Sequence, residues 1–86
     1  MQIITLDDER FPELLLAWKE GKCIGRFWHG EKQRTVCVSR QFLLVSSENG
    51  TQKFAMKPTR SIEEAQALGL QLLRREEKRG HRVELN

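Results

Sequence analysis

SIEEAQALGLQLLRREEKRG, residues 61–80, is the stretch whose reading decides the fold. Ser61 stands ahead of Ile62 with Glu64 three residues on, the pattern of a capping box, in which the hydroxyl takes a free amide at the helix start. Ile62, Ala65, Leu68, Gly69, Leu72 and Leu73 then recur at helical spacing and form one apolar stripe. Gly80 follows Arg79 as a residue able to take the left-handed conformation that ends a helix. The spacing therefore predicts a helix over about 62–79 with a single face to bury. Gly69 lies inside that stripe, where glycine costs about 1 kcal/mol relative to alanine. Two readings explain it: a close crossing over a sheet, or a contact with a second subunit.

Working back from the helix, the middle of the chain reads as a β-meander. Residues 33–38 (QRTVCV) and 42–46 (FLLVS) are rich in β-branched and apolar residues. Glu48-Asn49-Gly50 is a hairpin turn by composition, since Asn-Gly tolerates the positive φ such turns need. Residues 53–57 (KFAMK) return from it, and Pro58 stops the strand. Residues 23–28 (CIGRFW) give a further strand that enters a turn at His29-Gly30.

Ile3 and Ile4 suggest a short first strand. Asp7 or Asp8 can cap a helix from Pro12 to Lys19 that closes at Gly21, with Leu14, Leu15 and Trp18 on one face. A strand over 13–18 is the competing reading. After Gly80, His81, Val83 and Leu85 alternate with Arg82 and Glu84 as a short closing strand. The expectation is one α+β domain over residues 1–86. An antiparallel sheet of about four to five strands carries the 62–79 helix on one face, with a short helix near the N-terminus.

Charge is distributed unevenly along this frame. Residues 22–60 hold Lys22, Arg26, Lys32, Arg34, Arg40, Lys53, Lys57 and Arg60 against only Glu31 and Glu48, while the whole chain is +3. A basic middle between an acidic head and a neutral tail suits a surface that meets an anion. With 86 residues, 38% hydrophobic and 31% charged, the chain fits a small globular domain. No apolar run approaches the roughly 18 residues of a membrane span. The start, Met1 to Thr5, lacks a basic, cleavable leader. The expected location is the cytoplasm, where Cys23 and Cys37 serve as small core residues rather than as a disulfide scaffold.

Signals for catalysis are poor. His29 and His81 have no adjacent nucleophile pattern, and no glycine-rich phosphate loop is present. Asp7, Asp8 and Glu9 are better explained by a helix start than by a metal or an acid/base pair. Cys23, His29, Cys37 and His81 lack the paired spacing of structural zinc sites, so no metal or cofactor is expected. The run 74–79 (RREEKR) reads as a solvated helix end, its glutamates pairing with arginines three residues away.

The basic meander carries more. Arg34, Val36, Val38 and Arg40 fall on one side of their strand, and Lys53, Ala55 and Lys57 on one side of theirs, opposite Phe54 and Met56. On this reading the sheet buries its aromatic face under the long helix and offers its basic face to phosphates. The expected function is non-catalytic nucleic-acid binding or regulation. Arg26, Lys32, Arg34, Arg40, Lys53, Lys57 and Arg60 are the candidate phosphate contacts, and Trp28 the residue that stacks on a DNA or RNA base. No RNP-type aromatic motif, helix-turn-helix pattern or zinc finger accompanies them. The alternative is a protein-binding module, a small inhibitor or adaptor, that touches no nucleic acid. A homodimer is one way so short a chain completes its core.

Overall fold

In the computed structural model, which describes residues 1–47 and 52–86, the elements run β1 (Gln2–Thr5), α1 (Phe11–Glu20), β2 (Lys22–His29), β3 (Lys32–Val38), β4 (Phe42–Ser47), β5 (Lys53–Pro58), α2 (Ile62–Lys78) and β6 (Val83–Leu85). The chain is α+β, and each expected element is present. The turn expected at Glu48-Asn49-Gly50 lies outside the described residues.

The strands form one antiparallel sheet in the order β1-β5-β4-β3-β2-β6. It has six strands rather than four or five, because both terminal segments join it as edges. The competing strand at 13–18 is overruled: Phe11–Glu20 is helical, with Pro12 in the first turn where its missing amide costs nothing. Neither Asp7 nor Asp8 caps this helix: the N-cap is Arg10, with no side-chain cap bond, and Asp8 Oδ1 instead accepts the Arg10 amide at 2.8 Å just ahead of the helix.

At the start of α2, Ser61 Oγ accepts the Glu64 amide at 3.1 Å. The Glu64 carboxylate reaches back to the Arg60 amide at 3.4 Å, one residue earlier than a strict capping box places it. The other end is a Schellman motif. Gly80, at φ 87°, donates to the Glu77 carbonyl at 3.0 Å, and His81 donates to the Glu76 carbonyl at 3.1 Å.

Two cores result, one on each side of the sheet. Under α2, Ala65 and Leu73 pack with Phe27, Val36, Val38, Leu43 and Val45. On the opposite side, Phe11 and Leu14 of α1 pack with Ile4, Leu44, Phe54 and Met56, and the Phe11 and Trp18 rings lie 5.4 and 5.7 Å from that of Phe54. Each fully buried large apolar side chain contributes about 1.5–3 kcal/mol, so both helices are fastened by their stripes rather than by propensity.

This arrangement overturns the expected assignment of faces. Phe54 and Met56 are covered by α1, not by the long helix, while Val36 and Val38 lie beneath α2 on the side that also carries Arg34. Gly69 is a close crossing over the sheet: a Cβ there would stand 2.4 Å from Ile24 Cδ1 and 3.3 Å from Leu43 Cδ1.

Candidate functional site

Each helix covers only half of its side of the sheet. The α1 core draws on β1, β4 and β5, whereas the α2 core draws on β2, β3 and β4 with Val83 of β6. Two sheet surfaces therefore stay open. One, on the α2 side of β1 and β5, carries exposed Ile3, Lys53 and Lys57. The other, on the α1 side of β2 and β6, carries half-buried Arg26 and Trp28 with exposed Arg82 and Glu84.

The eight sequence candidates divide accordingly. Trp28, Lys32, Arg34 and Lys53 come together at one end of the sheet, where with Glu31, Gln33 and Ser47 they line a groove of about 460 Å³. Register brings them to one end of the sheet from alternate sides: Trp28 pairs with Gln33 facing the α1 side, whereas Arg34, paired with Ser47, and Lys53 face the α2 side, so the groove is lined from both sides of the strand ends. Arg40, Lys57 and Arg60 are exposed at the far ends of β3 and β5. At about 3.3 Å per residue they stand roughly 13–20 Å from the groove. Arg26 lies between the two ends, and its Nε is buried without a hydrogen-bond partner among the described residues.

Trp28 is held in place from one side. The Arg82 guanidinium carbon sits 4.5 Å from its ring centroid, and an Arg82 nitrogen is fixed to Glu84 Oε1 at 2.7 Å. This cation–π contact orients the indole at the mouth of the groove. Three cations against one carboxylate make the lining positive, as phosphate binding requires.

A second constellation occupies the α2 side of the same end, and sequence reasoning missed it. Glu76, in the last turns of α2, is only 7% exposed. Its Oε2 lies 2.6 Å from His81 Nδ1 and 3.1 Å from His29 Nε2, while Oε1 meets Arg79 at 3.4 Å. The two imidazole rings are 4.3 Å apart, and His29 also rests on Phe27 at 5.2 Å. Burial alone would raise the Glu76 carboxyl pKa. Hydrogen bonds from His81 and His29, with the charges of His29 and Arg79, hold it below its ordinary value instead.

The expected Glu76–Arg79 pairing is present, but Glu76 is not solvated and His81 faces it rather than open water. Half of this cluster had a sequence signal: glycine at 80 folds residue 81 back onto residue 76. Its other half, His29, needs the β2–β6 pairing and had none.

The cysteines stand apart from these histidines. Cys23 and Cys37 face each other across β2 and β3 as free thiols, and Cys37, between Val36 and Val38, points away from α2. The four residues weighed as a zinc set therefore do not assemble. Among the described residues no helix is long and apolar enough to cross a membrane. Compared with protein families, curated proteins and solved structures, the chain matches none.

Proposed function

We propose that the protein binds single-stranded nucleic acid, without catalysis, through the groove at the Trp28 end of the sheet. The observation that carries this reading is the convergence of Lys32, Arg34 and Lys53 beside a half-buried, pre-oriented Trp28. Lys32 and Arg34 are two residues apart on β3, about 7 Å by strand rise, and Lys53 lies across β4 on β5, about 10 Å away by strand spacing, a span over which one strand's phosphates can meet all three. An indole at their edge offers one face to an unstacked base, a contact worth about 1–3 kcal/mol.

Titration of the intrinsic tryptophan fluorescence with single-stranded and duplex DNA and RNA tests the proposal. Trp18 is half-buried against Phe54 on α1 and does not line the groove, so quenching should come from Trp28 and vanish in Trp28→Phe. Three phosphate contacts on a single strand give a salt slope near −2, which is a roughly 20-fold loss of affinity between 50 and 200 mM salt. The double variant Arg34→Glu/Lys53→Glu should abolish binding while keeping the native circular dichroism spectrum. Unchanged affinity in that variant would sink the proposal.

One observation favours the alternative, a protein-binding module. Both edge strands carry exposed apolar side chains, Ile3 at 60% on β1 and Leu85 at 64% on β6. Open edges of this kind accept a further strand. A salt-resistant protein complex with no electrophoretic shift of DNA or RNA would establish that reading in place of the first.

A further inference from the structure

We propose that His29, Glu76 and His81 form a binding site for a zinc-class divalent cation, with His29 Nε2, His81 Nδ1 and a Glu76 carboxylate oxygen as ligands. The three donor atoms lie within 4.8 Å of one another. Two imidazole nitrogens and one carboxylate oxygen are the donor set that borderline divalent metals take, and three protein ligands leave a fourth position for water.

The distances are close to what coordination needs. Ligands at 2.0–2.1 Å from a tetrahedral centre stand about 3.3 Å apart. His29 Nε2 and Glu76 Oε2 are already 3.1 Å apart. The 2.6 Å contact between Glu76 and His81 must open by about 0.7 Å, and the two histidine nitrogens, within 4.8 Å of each other, must draw in toward about 3.3 Å. That adjustment is small because His81 sits just beyond the helix, after Gly80, and not inside it. Both ring nitrogens aim at the same carboxylate oxygen, so each must hold a proton there for the present hydrogen bonds. A metal ion would take the place of both protons and satisfy all three donors at once.

The remaining surroundings are those of a prepared site. Arg79 binds Oε1, the carboxylate oxygen that neither histidine contacts, and orients the group from outside the ligand set. His29 is fixed by its place at the end of β2 and by a tilted ring contact with Phe27. The side chains of His29 and His81 are 47% and 33% exposed, which gives a cation and its water a way in. Because the ligands come from β2, α2 and the segment before β6, a bound ion would tie the closing strand and the long helix to the sheet. A chain of this size gains most from such a staple.

The test uses the full chain without a polyhistidine tag, metal-stripped and titrated with Zn(II) by calorimetry, with thermal unfolding followed in parallel. The expected result is one equivalent bound and a raised melting temperature. His29→Ala, a substitution at an exposed strand end, and His81→Ala should each weaken binding by more than the roughly 10–100-fold that loss of an outer-shell partner costs. Circular dichroism of both variants checks that they fold. Co(II) in place of zinc should give a tetrahedral nitrogen- and oxygen-ligand spectrum with no thiolate charge-transfer band. Absence of binding, wild-type affinity in folded His29→Ala, or a thiolate band that moves the metal to Cys23 and Cys37 would each overturn the proposal.

Discussion

Glu76 shows what a single buried carboxylate demands. Nearly buried, it is held by two imidazoles and a guanidinium, and removing it frees three donors that still reach water. Glu76→Ala in metal-free buffer should cost about 0.5–1.5 kcal/mol, the net worth of hydrogen bonds whose freed donors water can satisfy, read as a lower urea midpoint at unchanged slope. Cys37 makes the opposite case, a group stabilised in its neutral form. Burial, then the neighbouring Cys23, push its thiol from the ordinary 9.0 up to about 12. A pKa raised in the folded state means stability fully present below pH 9 and lost as pH climbs toward 12. Cys37→Ala should therefore flatten the fall in stability between those values, measured by denaturation in alkaline buffers. Alkylation should mark half-buried Cys23 in the native protein and reach Cys37 only on unfolding. The sequence suggested small core thiols, and for Cys37 burial bears that out. It did not suggest Glu76, because a glutamate in a charged run has the same local pattern whether or not a distant histidine lies over it.

At the scale of elements, α2 was readable because its instructions are local. A cap, a stripe and a terminating glycine all lie within twenty residues of one another, and the helix spans Ile62–Lys78 as its spacing implies. Ser61→Ala should cost about 0.5–2 kcal/mol through loss of the bond to the Glu64 amide. Gly69 tests the packing beneath. Its Cβ position is 2.4 Å from the flexible end of Ile24, which can swing aside, but Leu43 at 3.3 Å and Val36 at 3.5 Å close the rest of the space. Gly69→Val should thus destabilise by about 1–3 kcal/mol through overpacking, while Gly69→Ala loses less because the gain in helix propensity offsets part of the strain. Thermal denaturation of the two variants side by side checks the order. The strands were legible as strands, yet which face each buried was not. Phe54 and Val36 are both core residues in sequence terms, and only the offset of the two helices decides that one lies under α1 and the other under α2.

That offset governs the whole molecule. Strand alternation puts Arg26 and Trp28 on the α1 side and Arg34, Lys53 and Lys57 on the α2 side, so the eight candidates do not form a single surface. With each helix covering half a side, the strand ends gather charge instead, in two groups: Lys32, Arg34 and Lys53 beside Trp28, and Arg40, Lys57 and Arg60 at the other end. The groups are roughly 13–20 Å apart by strand rise, beyond a Debye length of about 8 Å at physiological salt. They should consequently act independently on a short ligand. On the proposed reading, a single-stranded tetranucleotide occupies the groove and leaves the far group without contacts. Its affinity at 150 mM salt should collapse in Arg34→Glu/Lys53→Glu and change by less than about twofold in Arg40→Glu/Arg60→Glu, since surface charges beyond a Debye length are largely screened. Fluorescence titration of the two variants, equal in net charge, separates a local site from a general attraction. Equal losses in both would show that net charge alone recruits the ligand, and the groove would then carry no binding role.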